Sequence, residues 1–234
     1  MGVNSVVFSP DGRFVLTAGQ DAVRLWDVES GQQIRQIGEI DTVYRAAFSP
    51  DGKYILTSAG RSDDKVRLWD VSTGKLVREY QSSMTAMNSV AFSPDGKIVI
   101  DSGQDTVHIW DMQTGKELRR LIGHTDYVWT ATFSPNGKYI ATASGDGTAR
   151  LWDVQSGQEL RRFTGHSAGL ENVAFSPDGK YIVTGSDDAT AMLWDVDYHT
   201  TMAYLCSQLK RDFTDAERAQ YGIKDNTPTC PPKP

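Results

Sequence analysis

Phe-Ser-Pro-Asp/Asn-Gly occurs five times in this chain, beginning at Phe8, Phe48, Phe92, Phe133 and Phe175. Each copy is followed by Trp-Asp, at Trp26, Trp69, Trp110, Trp152 and Trp194, and the successive tryptophans stand 43, 41, 42 and 42 residues apart. A period in the low forties that ends in Trp-Asp is the length of a four-stranded antiparallel sheet stacked beside its own copies. One such unit cannot bury both of its faces, so each copy depends on the next for a core. The expected fold is all-β, and a ring or arc of near-identical sheets is usually a platform for partners.

Composition narrows the function further. The 234 residues, 39% of them hydrophobic, suffice for one large all-β domain. A formal charge of −6 argues against nucleic acid as the main partner, because a phosphate backbone needs a basic face. No apolar run is long enough to span a bilayer, and the N-terminus lacks a basic-then-apolar signal segment. No membrane partner is therefore expected. The two cysteines, Cys206 and Cys230, both follow the last repeat and read as free thiols of a reducing compartment, which makes the cytoplasm the expected location.

The fourth repeat shows the unit best. Val128–Phe133 reads as a first strand, and Pro135-Asn136-Gly137 as a tight turn in which Pro sets φ and Asn and Gly tolerate positive φ. Tyr139–Ser144 is the second strand, Gly145-Asp146-Gly147 the next turn, residues 148–154 the third strand and 159–163 the fourth. Both faces of the middle strands carry small and apolar residues, as sheets packed on either side require.

These motifs resemble the WD-repeat β-propellers over residues 1–196. The Gly-His marker of that family stands at Gly123-His124 and Gly165-His166, each histidine 28 residues before its tryptophan. The resemblance implies a hydrogen-bonded tetrad across a blade, carried over here onto His124, Ser144, Asp146 and Trp152, and again onto His166, Ser186, Asp188 and Trp194. Indole N–H would donate to the hydroxyl, the hydroxyl to one imidazole nitrogen, and the other nitrogen to the carboxylate, leaving no buried polar group unpaired. His, Ser and Asp in contact also describe a hydrolase triad. A nucleophile must be exposed beside an oxyanion hole, however, whereas these hydroxyls are expected under an indole. Repeats one to three depart from the pattern: Gly38-Glu39 and Ser82-Ser83 stand where Gly-His is expected, and no tetrad is expected there.

In the family the outer strand of each blade comes from the start of the next repeat. The pattern stops after Val196, so the fifth blade is expected to lack its own outer strand. Two readings stay open: a five-blade ring, or part of a larger, open propeller. The liability of open sheet edges favours the second, with homo-oligomers through those edges as a consequence. Residues 197–234 form a separate tail, with helical spacing over 200–210, a capping box at Thr214-Asp215-Ala216-Glu217 opening a second short helix, and a Pro-rich end. This tail is similar to the one closing the C-terminal propellers of bacterial multidomain signalling proteins.

Function is expected on the rim, where this family often binds peptides and proteins. The residues four before each repeat Phe are Asn4, Tyr44, Asn88, Trp129 and Glu171; Tyr127 lies two residues before Trp129. Trp129 belongs to no Trp-Asp pair, and with Tyr127 and Tyr44 it would form an aromatic sector suited to a binding hot spot. No phosphate loop, paired cysteines at metal spacing or paired acid/base arrangement is present. The expectation is a non-enzymatic interaction scaffold or sensor module for a protein or peptide, without catalytic residues, metal or cofactor. The rivals are a propeller fragment that mainly self-associates and a propeller enzyme with a site in the central channel.

Overall fold

A computed structural model describes residues 2–20, 22–38, 42–59, 64–82, 84, 87–197 and 214–220. Nineteen strands form five antiparallel sheets among these residues. Blade one comprises β1 (Val3–Phe8), β2 (Phe14–Gly19), β3 (Val23–Asp27) and β4 (Gln33–Ile37), and blade two β5 (Val43–Phe48), β6 (Tyr54–Ala59), β7 (Lys65–Asp70) and β8 (Leu76–Gln81). Blade three comprises β9 (Met87–Phe92), β10 (Ile98–Gly103), β11 (Thr106–Asp111) and β12 (Glu117–Ile122). Blade four contains β13 (Val128–Phe133), β14 (Tyr139–Ser144), β15 (Thr148–Asp153) and β16 (Glu159–Thr164). Blade five has β17 (Leu170–Phe175), β18 (Tyr181–Ser186) and β19 (Ala191–Asp195), and among the described residues no fourth strand. Each sheet is a meander in chain order, and the first strands touch one another in sequence, β1 on β5, β5 on β9, β9 on β13 and β13 on β17. The chain is thus a five-bladed β-propeller arc with the β1-type strands innermost.

The repeated phrase builds the first turn of every blade. In blade four Ser134 Oγ donates to Asn136 Oδ1 at 2.8 Å, and the same oxygen accepts Lys138 N–H at 3.0 Å. Gly137 then takes φ +70°, where a Cβ would be strained. The Asp of Trp-Asp has an equally local task. Asp153 Oδ1 accepts both the N–H and the hydroxyl of Ser156 at 2.7 Å, pinning the turn into the outer strand.

Four apolar clusters hold the arc together, each shared by two successive blades. Leu16, Leu25 and Ile37 of blade one meet Ala46, Phe48 and Ile55 of blade two, and the pattern repeats to Ala141, Leu151 and Phe163 of blade four against Val173 and Ile182 of blade five. Arginines on the outer strands add polar clasps to this packing. Arg35 donates to the carbonyls of Ser72 and Thr73, Arg78 to those of Gln113 and Thr114, and Arg161 to that of Asp195, always in the next blade.

The tail helix α1 (Asp215–Gln220) starts where the capping box places it, with Arg218 N–H donating to the Thr214 carbonyl at 2.8 Å. The helix expected over 200–210, both cysteines, Glu39 and Ser83 lie outside the described residues. No helix among the described residues is long and apolar enough to cross a membrane.

Candidate functional site: a propeller rim over buried polar networks

The two expected tetrads form with one correction. In blade four, Trp152 Nε1 donates to Thr142 Oγ1 at 2.9 Å, and that hydroxyl lies 2.7 Å from His124 Nε2. His124 Nδ1 is 2.7 Å from Asp146 Oδ2. The hydroxyl is thus Thr142, not Ser144. Blade five repeats the arrangement through Trp194, Thr184, His166 and Asp188, at 2.8 Å for each link, and Ser186 is likewise displaced from the role expected of it.

Register explains the difference. Trp152 stands opposite Ile140 in the β14–β15 ladder. Thr142 is the next residue on the same face, one diagonal step from the indole, while Ser144 lies two residues further along the strand. Ser144 instead donates to the Asp126 carbonyl at 3.0 Å and accepts Asp146 N–H at 3.1 Å, so it shapes the turn that carries the carboxylate. Ser186 does the same through the Gly169 carbonyl and Asp188 N–H. The missed signal was in the sequence: threonine recurs at this position of the second strand as Thr17, Thr57, Thr142 and Thr184. In blades one and two the indole bond is kept, Trp26 to Thr17 at 2.8 Å and Trp69 to Thr57 at 2.9 Å.

Asp146 is a strongly acidic group in this setting. Burial works to raise its pKa, but hydrogen bonds from His124 and Thr148 outweigh it and hold the carboxyl well below the usual carboxylate range. Arg150, itself buried, adds a contact at 3.4 Å to Asp146 and one at 2.9 Å to Glu159. This arrangement cannot serve as a hydrolase triad, because Thr142 is fully buried beneath the indole.

Blade three carries a network that sequence reasoning missed. Asp101 occupies the threonine position, Ser82 lies where His124 does in the next blade, and His108 takes the place of Arg150. Trp110 Nε1 donates to Asp101 Oδ1, Ser82 Oγ donates to Asp101 Oδ2, and that hydroxyl is 3.3 Å from His108 Nδ1. Burial pushes the Asp101 carboxyl up to about 7, with the Ser82 and Trp110 bonds opposing it in part. Burial also pushes His108 down. Both shifts favour the uncharged forms of Asp101 and His108. Blade three thus carries a different four-residue chain of contacts in place of the arrangement in blades four and five.

On the rim, Tyr127 and Trp129 stack with ring centroids 5.6 Å apart and planes 28° from parallel. They remain 43% and 37% exposed although Val128 between them, the first residue of β13, is fully buried. Tyr44 is half-buried on blade two, and blade three stands between it and Trp129, so the aromatic feature is a pair and not a trio. Asn4 and Asn88 are only partly available: their amides donate across blade boundaries, to the Val43 carbonyl at 3.0 Å and the Val128 carbonyl at 3.4 Å. Glu171 is exposed, its carbonyl taking a bond from Thr130 of blade four.

Residues 74–111, 115–153 and 157–195 match the family model for the WD domain, G-beta repeat. Each matched segment runs from an outer strand of one blade through three strands of the next and ends on the Asp of Trp-Asp, which is the offset between sequence repeat and blade. Residues 2–83, which span blades one and two, match the model for eukaryotic translation initiation factor eIF2A. No curated protein matches the chain. With five stacked antiparallel sheets and these repeats, the chain belongs to the WD-repeat β-propeller family. Repeats of this family generally mediate protein–protein interaction, and its propellers are typically not enzymes.

Proposed function

We propose that this chain is a non-enzymatic scaffold or sensor module that takes a protein or peptide on the propeller rim, centred on Tyr127 and Trp129. The observation that carries this reading is the exposed, stacked aromatic pair at the open end of blade four. Two large rings held against each other lose little entropy when a partner covers them, and Tyr and Trp dominate binding hot spots for that reason. Glu171 on the neighbouring blade supplies an acidic group at the corresponding strand position, suited to a partner with a basic residue beside an apolar one. A cytoplasmic setting follows from the cysteine usage, and a bacterial signalling context rests on the resemblance of the tail alone.

A displayed peptide library selected on the whole chain tests the proposal. Trp129→Ala is expected to weaken the selected peptides by at least about tenfold, roughly 1.4 kcal/mol, with unchanged thermal unfolding. Peptides that bind Trp129→Ala and the parent chain equally would overturn the rim assignment.

A further inference from the structure

The first and last blades each show a bare face that is buried everywhere else in the arc. On blade one, Phe8 is 63% exposed, while its counterparts Phe48, Phe92 and Phe133 are at most 9% exposed. Val6 and Val28 are exposed on the same face, where blade two presents Ala46 and Val71 to blade one. On blade five, Leu193 is 70% exposed, whereas Leu25, Leu68, Ile109 and Leu151 at that position are 4% or less. Val183 beside it is exposed too, against fully buried Ala141 in blade four.

These faces have opposite hands in the packing scheme. The blade-five face is of the type that receives a following blade, as Ala141 and Leu151 receive Val173 and Ile182. The blade-one face is of the type that docks onto a preceding blade, as Phe48 and Ala46 dock onto Leu16 and Leu25. Within the described residues the two are not packed on each other, so the five sheets do not close a ring.

We propose that a second copy of this chain covers them head to tail: the blade-five face of one molecule packs on the blade-one face of the next. The contact continues the four blade–blade interfaces already present in the arc through the second- and third-strand positions of the receiving blade; the fourth-strand position that Ile37, Tyr80, Leu121 and Phe163 fill elsewhere has no counterpart among the described residues of blade five. The surface is a sheet face and not a strand edge, which distinguishes it from the edge pairing expected at the outset. A heterologous contact of this kind leaves one free face at each end and so extends or closes by geometry. The inference is independent of the rim reading.

The test uses the full chain in sedimentation velocity and light scattering. The parent is expected to exceed the monomer mass of 25.9 kDa in a concentration-dependent way. Phe8→Glu spoils one face and Leu193→Glu the other, so each variant alone is expected to run as a monomer. An equimolar mixture retains one intact contact, the blade-five face of Phe8→Glu on the blade-one face of Leu193→Glu, and is expected to give a dimer that does not grow further. Circular dichroism checks the fold of each variant, with Val6→Lys and Val183→Lys as replacements should either fail. Four results overturn the proposal: a monomeric parent; single variants that still associate; an assembled parent whose variants do not complement, which would mean a two-fold contact; and hydrogen-exchange protection of Leu193 in a monomer, which would assign the face to residues 198–234.

Discussion

Thr142→Val is expected to destabilise the protein by about 2–4 kcal/mol, although it changes the side-chain volume very little. The hydroxyl sits between the indole N–H of Trp152 and Nε2 of His124, and it is fully buried. Valine would leave both partners without a bond in a place water cannot reach, at about 1–3 kcal/mol for each unsatisfied group. Ser144→Ala is the informative control. It removes a bond to the Asp126 carbonyl and one from Asp146 N–H, and a loss of about 1 kcal/mol is expected. Denaturant unfolding followed by tryptophan fluorescence measures both. Equal losses, or a larger one for Ser144→Ala, would show that the indole is not held by Thr142.

Asp101→Thr is expected to stabilise the protein, and by an amount that depends on pH. The folded carboxyl titrates near 7 because of burial, well above its unfolded value near 3.8. Between those two pH values the folded state holds a proton that the unfolded chain has lost, so stability falls as pH rises through the window. Threonine has no such proton to hold and restores the hydroxyl that accepts the indole bond in the other four blades. The advantage of the variant should be small near pH 4, grow to pH 7 and level off above it, reaching on the order of 2 kcal/mol or more. The other polar and charged groups around the carboxyl are Ser82, His108, Trp110, Glu117 and Arg120, and these are unchanged between the two proteins. Thermal unfolding of both proteins between pH 4 and 8 measures the difference. A pH-independent difference, or one that grows toward acid, would mean that Asp101 is ionised in the folded state.

Much of the architecture was legible before any coordinates. The 41–43-residue spacing of Trp-Asp reports the length of one blade, and the Ser-Pro-Asp/Asn-Gly phrase reports a turn that only a short polar acceptor and a positive-φ residue can make. The positions four before each Phe were found by counting, but the register of the first two strands shifts at every one of them, so strict alternation did not decide their exposure. His124 and Asp146 were reachable by spacing too. Thr142 was not reached because Ser144 stands closer to the turn in sequence, while the indole bond is set by the pairing register of two strands, with Trp152 opposite Ile140. The blade-three network escaped for a related reason. Ser82, Asp101 and His108 match no motif singly, and the substitutions make sense only once three segments are brought together around Trp110.

The sequence by itself determined the repeat, the five antiparallel sheets, the turns and the absence of a fourth strand motif after Val196, since these depend on local spacing and local backbone preference. Tertiary structure decided which side chain meets each indole, that burial raises the Asp101 carboxyl, and that Tyr127 and Trp129 stack in the open. It also decided that Phe8 and Leu193, whose counterparts in other blades are core, lie bare. A residue's repeat position is a local property, but its burial depends on whether another blade stands against it.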